Sequence, residues 1–532
     1  MATSYQSPGV YIEEVDRGTK PIEGVGTSVG AFIGFTEKAE EPARNGGSPK
    51  PLLNKATLVT NWNQFTQKFG GFIEGAYLPH AVYGYFSNGG GRCYVISVNT
   101  LGVSADPNLA RPAQAALPSM SDPKLDSLVV KALQAGPVGN AIGVSVEYKT
   151  TAEGEEGDAF VLIFTQSGGP TERFEGLTMG SGDRNVETVV NTQSRLVRVE
   201  VVRKAGKLAE RRPVAGVYPL QGGEIKTLAV RGPQFEGDAA RREGLGALEA
   251  LDDVTMLCTP DLMTSYQRGD INLDGVKAVQ TAMLVHCERM KYRFAILDAP
   301  PGLSPQQIGD WRKNTAGYDS KFGALYYPWI TVSNPLGAGG ANLLIPPSGH
   351  MAGIYARVDT QRGVHKAPAN EVVLGALGLE VNVTKGEQDG LNPIGVNCIR
   401  AFPARGIRVW GARTLSSDPA WRYVNVRRLF NYVEASIEGG TQWVVFEPND
   451  QDLWARVRRD VSAFLRLVWR SGALFGATPE QAFYVKCDEE LNPPEVRDAG
   501  QLIIEVGMAP VKPAEFVIFR ISQWAGPNAA TA

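Results

Sequence analysis

A multidomain fold that joins parallel α/β layers, an α+β C-terminal region and a β-rich insertion is what this sequence predicts. Three observations lead there. From Gly246 onward, strand and helix signals alternate, as they do in parallel layered sheets. Between about Thr100 and Gly244, short alternating strands are separated by acidic and glycine turns such as GEEG at 154–157 and SGGP at 167–170. Residues 392–475 then carry a strand and two periodic helices, and they hold no recognisable catalytic motif.

At 532 residues the chain exceeds one ordinary core, so about two to four domains are expected. A hydrophobic content of 43% against 20% charged residues fits a soluble chain with a well-buried interior. The net charge of −3 gives no electrostatic footprint for nucleic acid, so no such partner is expected. There is no basic-then-apolar leader and no apolar run long enough to span a bilayer. Synthesis in the cytoplasm without membrane insertion is therefore expected, and a later exit would need lysis or a dedicated route. The cysteines Cys93, Cys258, Cys287, Cys398 and Cys487 form no CxxC pair, and His80, His286, His350 and His365 form no HExxH. Buried free thiols, no metal and no cofactor are the expectation.

Taken in order, residues 7–14 (SPGVYIEE) cannot start a helix at Pro8 and Gly9. Val10, Tyr11, Ile12 and Val15 mark instead an extended strand too short to bury itself alone. The glycines of 24–34 (GVGTSVGAFIG) are spaced GxGxxxG with no strand-turn-helix after them, so a closely packed strand is read there rather than a dinucleotide loop. Residues 57–69 read as strand, turn and short helix, 76–86 as a helix stopped by Asn88 and three glycines, and 93–98 as a strand. Strands follow at 144–148, 160–164 and 196–202.

Beyond the insertion, 254–258 is a strand, 275–290 a helix and 294–297 a strand ending at Asp298. A helix starts at 305, residues 322–331 (FGALYYPWIT) make one broad apolar strand, and 346–353 (PPSGHMAG) lead into a helix capped by Ser348. Residues 407–410 form a strand. Ser416, Ser417 and Asp418 ahead of Pro419 announce a helix. Val426, Leu429, Phe430, Val433 and Ile437 recur at helical spacing, Gly439 and Gly440 end that run, and 443–446 (WVVF) read as a short buried strand. On the helix at 453–470, Trp454, Val457, Val461, Phe464 and Val468 form one apolar stripe, with Arg456, Arg459, Arg466 and Arg470 on the opposite face. Glu447, Asp450 and Asp452 precede or open this helix, where acidic groups favour the helix dipole. Strands are expected again at 502–506 and at 516–521, the latter through Phe516, Val517, Ile518, Phe519 and Ile521.

Several ordered blocks carry a resemblance: PGVYIEE at 8–14, TSVGAFIG at 27–34, NGGGRCYVISV at 88–98, LDAP at 297–300, YYPW at 326–329, PPSGHMAG at 346–353, RVWGARTL at 408–415, WRYVNVRR at 421–428 and FEPND at 446–450. Over nearly the whole chain the sequence resembles contractile tail sheath proteins. That resemblance implies a central α/β domain of subtilisin-like topology, an α+β C-terminal sheath domain, an inserted β-rich outer domain and extended terminal arms. The expected layout is an N-terminal arm at 1–22, a first part of the central domain at 23–99 and the insertion at 100–244. The central α/β domain follows at 245–368, the C-terminal sheath domain at 369–512 and a C-terminal arm at 513–532.

The function the resemblance implies is a structural subunit that polymerises helically around an inner tube and contracts to drive it through a target envelope. Its implied partners are further copies of itself, the tube protein, baseplate and terminator or cap proteins, with room for a second sheath paralogue. Both terminal patterns stand on this single chain, which favours a phage tail or an extracellular injection particle over the paired sheath proteins of type VI secretion. The choice between those two stays open. The resemblance also implies that the arms at Val10–Val15 and Phe516–Ile521 are exchanged between subunits, the alternative being a hairpin within 502–521. It further implies that the arginine face meets an acidic tube, the alternative being an ordinary solvated face.

A subtilisin-like topology makes a serine hydrolase the alternative function. Asp298, Ser348 and His350 are its candidates, but no GxSxG elbow and no GTS-type serine accompany them. A non-enzymatic chain with no catalytic residues is therefore expected. There is also no P-loop, so contraction would draw on a metastable assembled state rather than on bound nucleotide.

Overall fold

The computed structural model describes residues 21–42, 49–102, 110–148, 158–167, 169–225, 229–337 and 341–520. At its centre an eight-stranded sheet runs in the order Gly406–Val409, Val396–Phe402, Gly323–Tyr327, Phe294–Asp298, Met256–Cys258, Gly30–Thr36, Cys93–Thr100, Thr57–Val59. The inner six strands are parallel and each edge strand is antiparallel to its neighbour. Parallel strands covered on both faces need apolar residues on both, and Gly30–Thr36 and Phe294–Asp298 are buried throughout. Alternate side chains divide between two cores: Ala31, Ile33, Phe35, Leu257, Ala295 and Leu297 face one, Phe32, Met256, Cys258, Phe294 and Ile296 the other.

The helix Leu273–Met290 covers the first face with Val276, Val279 and Met283. Helices Leu78–Ser87 and Ser348–Arg362 cover the second, and they cross unusually closely. A Cβ on Gly349 would lie 2.4 Å from the Ala81 Cα, and one on Gly353 would lie 2.5 Å from the Tyr85 carbonyl oxygen. Only glycine allows that approach without moving backbone.

Between Cys93–Thr100 and Met256–Cys258 the chain builds a separate sandwich of two antiparallel four-stranded sheets. One orders Val197–Val201, Asp126–Ala135, Ala110–Pro118 and Glu224–Ile225; the other orders Thr171–Leu177, Phe160–Gln166, Ile142–Glu147 and Gly216–Pro219. Leu117, Leu128, Val130, Val144, Leu162, Phe164 and Val199 from both sheets meet in a core of their own. After the central sheet, helices Val424–Gly440 and Gln451–Arg470 pack with the hairpin of Phe483–Lys486 and Glu505–Met508. Leu429, Val433, Trp454, Val457, Val461 and Phe464 form this last core.

Three local expectations change. The apolar run 322–331 is two strands in different sheets, Gly323–Tyr327 and Ile330–Ser333, because Pro328 offers no N–H to continue one ladder. Residues 443–446 are no buried strand: Gln442–Val444 is a 3-10 turn, and Val445 and Phe446 are 62% and 103% exposed. A four-residue apolar run does not choose its conformation alone, and this one pairs with no strand among the described residues. Ser348 does not cap its helix but is the first helical residue; the capping group is Asp298, which accepts from the Ser348 N–H at 2.8 Å and from its Oγ at 2.6 Å.

A second distant carboxylate does the same for Leu78–Ser87. Asp261 accepts from the Tyr77 N–H at 2.5 Å and the Leu78 N–H at 3.0 Å, as well as from Phe35 N–H and Thr264 Oγ1 at 2.7 Å. Each helix start thus receives its acceptor from the carboxyl end of a neighbouring strand of the sheet, which locks helix to sheet.

Burial pushes the Asp298 carboxyl up to about 7, against the opposing pull of its Ser348 bonds. An unfolded aspartate releases its proton near pH ~4. Between there and about 7 the folded chain holds a proton at Asp298 that the unfolded chain has lost, so this group's contribution to stability falls as pH rises. Asp298→Asn removes the charge while its Oδ1 still accepts from the Ser348 N–H and its Nδ2 donates to the Ser348 Oγ. Its stability relative to the native chain should therefore climb between pH 5 and pH 8; urea midpoints that stay a constant distance apart would contradict this.

Candidate functional site: two arm roots and an arginine face

The hydrolase candidates do not assemble a catalytic centre. Ser348 is fully buried, its Oγ donates to Asp298, and it makes no bond to His350. The His350 ring packs on Gly84, and its Nδ1 has no hydrogen-bond partner. Burial, with His80 nearby, pulls His350 down to about 4. A nucleophile–base bond, the first requirement of a serine hydrolase, is missing from this arrangement. Among the described residues no group of three or more His, Cys, Asp or Glu could hold a metal, and all five cysteines are buried free thiols. No helix among them is long and apolar enough to cross a membrane.

Chemistry concentrates instead where the two termini leave the folded body. The C-terminal segment after Met508 bonds back at Phe475 N–H to Ala509 O (2.8 Å) and Val511 N–H to Ala473 O (3.1 Å). It is then held at one residue, Glu515. Arg413 donates to both carboxylate oxygens, Nε at 2.9 Å and Nη2 at 2.7 Å; Asn392 Nδ2 adds a bond at 2.6 Å and Tyr423 OH one at 2.9 Å. Burial opposes charging Glu515, but these three partners outweigh it and hold the carboxyl below its ordinary range. Next to this clamp lies a hollow of about 820 Å³ walled by Trp410, Tyr423 and Val511.

One residue beyond the clamp, Phe516, Val517, Ile518 and Phe519 are 71%, 69%, 79% and 83% exposed and pair with no strand among the described residues. The alternative hairpin within 502–521 does not form over the described residues, since Glu505–Met508 pairs with Phe483–Lys486. Ile521 lies outside the described residues, as do Val10, Tyr11, Ile12 and Val15 of the N-terminal arm.

The N-terminal root is pinned as firmly. Residues 22–27 run along the helix Val424–Gly440: Ile22 is buried in the C-terminal core, and the Val25 N–H donates to Ser436 Oγ at 3.1 Å. Thr27 Oγ1 donates to Asp359 at 2.6 Å, and its carbonyl accepts from Arg428 at 2.9 Å. Arg428 closes the set with bonds of 2.9 and 2.6 Å to the two Asp359 oxygens. Both arm roots are thus fastened to helix Val424–Gly440 and its approach. Sequence reasoning pointed to the two chain ends, of which only 516–520 is described and forms no strand, and it missed the residues that hold their roots. Arg413 and Arg428 lie in the RVWGARTL and WRYVNVRR blocks, whereas nothing near Glu515 or Asp359 marked them.

On Gln451–Arg470 the apolar stripe of Trp454, Val457, Val461, Phe464 and Val468 is buried, and Arg456, Arg459, Arg466 and Arg470 are all exposed. Two carry partners, Arg456 with Glu447 and Arg459 with Asp460, each at 3.1 Å. Arg466 and Arg470 have no ion pair among the described residues.

The model of the phage tail sheath protein central domain matches residues 247–415, and that of the phage tail sheath C-terminal domain matches 416–523. The tail sheath protein of Vibrio phage KVP40 is 27% identical over 180 residues, which is 33% of this chain and 26% of that one. Across the first curated relatives the aligned stretches span 26% to 63% of the relative's own length. Two solved structures align along almost the full length. The PVC sheath complex of an extracellular contractile injection system, in its contracted state, is 26% identical with a TM-score of 0.57, covering 98% of this chain and 99% of that one. The contracted helical sheath of the anti-feeding prophage is 26% identical with a TM-score of 0.58, covering 98% and 100%. With the two sheath models side by side over more than half of its residues, and with that architecture around its arm roots, the chain belongs to the contractile tail sheath protein family.

Proposed function

We propose that this chain is the subunit of a helical sheath that surrounds an inner tube and shortens to drive the tube through a target envelope. The observation that carries the reading is the contrast at the C-terminal root: a four-bond clamp at Glu515, then four apolar residues exposed at once. An apolar strand left in water is costly, and adding it to a neighbour's open sheet edge satisfies its backbone and buries its side chains. A filament needs two different complementary surfaces per subunit, because its interfaces do not close. Arms at both ends, exchanged between neighbours, meet that need and keep subunits connected while they rotate.

In this reading the eight-stranded layer is the subtilisin-like central domain, the sandwich lies outside, and the arginine face looks inward to an acidic tube. The subunit acts without catalytic turnover, and contraction releases a metastable assembled state. Tube, baseplate and terminator or cap proteins are the partners, within a phage tail or a phage-tail-like particle assembled in the cytoplasm. Co-expressed with its tube protein, the chain should form hollow helical cylinders under the electron microscope. Monomers at every concentration, with or without tube, would overturn the reading.

Removing residues 514–532 should leave a folded subunit that builds no connected sheath; cylinders that still assemble and contract as one body would contradict the exchange. Glu515→Ala strips Arg413 of its counter-charge and should loosen the root by about 2 kcal/mol. Faster hydrogen exchange confined to residues 509–515 and their partners would report it. Since the Glu515 carboxyl is depressed, the clamp's contribution is complete above the unfolded pKa and is lost as pH falls through the folded one. Reversing Arg466 and Arg470 to Glu should release sheath from tube, more so at low salt, where like charges repel over a longer range. Unchanged binding at low salt would return the helix to an ordinary solvated face.

A further inference from the structure

The FEPND block contains a feature that neither the arms nor the helix face uses. Phe446 is fully exposed and holds φ at +68°, a left-handed conformation that bulky side chains rarely adopt. Val445 beside it is also exposed. The loop around them is braced on both sides. The Val444 N–H donates to Thr441 O at 3.0 Å, and the Glu447 N–H donates to Val444 O at 3.1 Å. Asn449 accepts from Trp454 Nε1 and donates to Gln501 O, both at 2.8 Å, and Asp450 caps the next helix through the Leu453 N–H at 2.8 Å. These bonds impose the strained backbone and hold an aromatic ring out in water. Strain kept in place by its surroundings, at a fully exposed aromatic, is the anatomy of a binding anchor.

Charge identifies the partner. Glu447, next to Phe446, binds Arg456, whose guanidinium also lies 5.0 Å from the Trp443 ring centre. The loop is therefore continuous with the arginine face, where Arg466 and Arg470 have no ion pair among the described residues. A surface that fits both parts is acidic around an apolar socket. We propose that Phe446 is the aromatic anchor by which the subunit grips its inner tube, seating in an apolar socket on an acidic tube surface. This rests on the reading that the arginine face meets the tube.

The test uses the full chain assembled on cylinders of its cognate tube protein. With the photo-crosslinking residue p-benzoylphenylalanine at position 446, irradiation should join this chain to the tube subunit, identified by mass spectrometry. Phe446→Ala should melt at the native temperature, since the ring packs on nothing, yet bind tube about tenfold or more weakly. Crosslinks to another copy of this chain, no crosslink in assembled sheath, or native tube binding by Phe446→Ala would each overturn the anchor. The charge-reversed helix separates the two ideas. If Arg466→Glu with Arg470→Glu releases the tube while position 446 crosslinks elsewhere, the arginine face stands and the anchor falls. If charge reversal has no effect and position 446 still joins the tube, the anchor stands without the arginine face.

Discussion

A buried ion pair, Arg428 with Asp359, joins the three parts of the subunit that must keep one orientation. Asp359 belongs to the helix Ser348–Arg362 that covers the sheet, Arg428 to the helix Val424–Gly440, and Thr27, on the incoming chain, bonds to both. The two side chains are each 4% exposed. Burial works against the Arg428 charge, but the Asp359 carboxylate outweighs it and the proton is held more tightly than usual. Losing one partner of such a pair strands a charge in the interior at about 3–5 kcal/mol, whereas an apolar replacement of both is often neutral. The pair therefore selects one docking angle between sheet and helices more than it adds net stability.

That constraint also fixes the two arm roots on one framework. The N-terminal root lies on Val424–Gly440, and the C-terminal root is clamped by Arg413 and Tyr423 just ahead of it. The exposed Phe516–Phe519 segment begins directly after the four-bond clamp at Glu515.

Much of the fold was legible because its signals are local. The helix Gln451–Arg470 follows from the spacing of Trp454, Val457, Val461, Phe464 and Val468, with Asp450 as its cap, and the arginines fall opposite by the same geometry. Five of the six parallel strands were readable as short apolar runs, whereas Val396–Phe402 was not read as a strand. Errors fell where a run was short and its partner distant. WVVF has strand composition but pairs with no strand among the described residues, and FGALYYPWIT serves two sheets because Pro328 ends the first ladder.

The order of residues was enough to establish the layered class, the run of elements and the family resemblance, since periodicity, caps and motif blocks are properties of neighbours along the chain. Contacts between residues far apart in sequence were beyond it. Glu515 meets Arg413 across 102 positions and Arg428 meets Thr27 across 401, and Ser348 receives its acceptor from Asp298 across 50. No local pattern encodes such pairs, because each depends on where the packed sheet and helices bring two distant segments together. The same holds for exposure: Phe446 and Phe464 are alike as letters, and packing alone leaves one in water and buries the other.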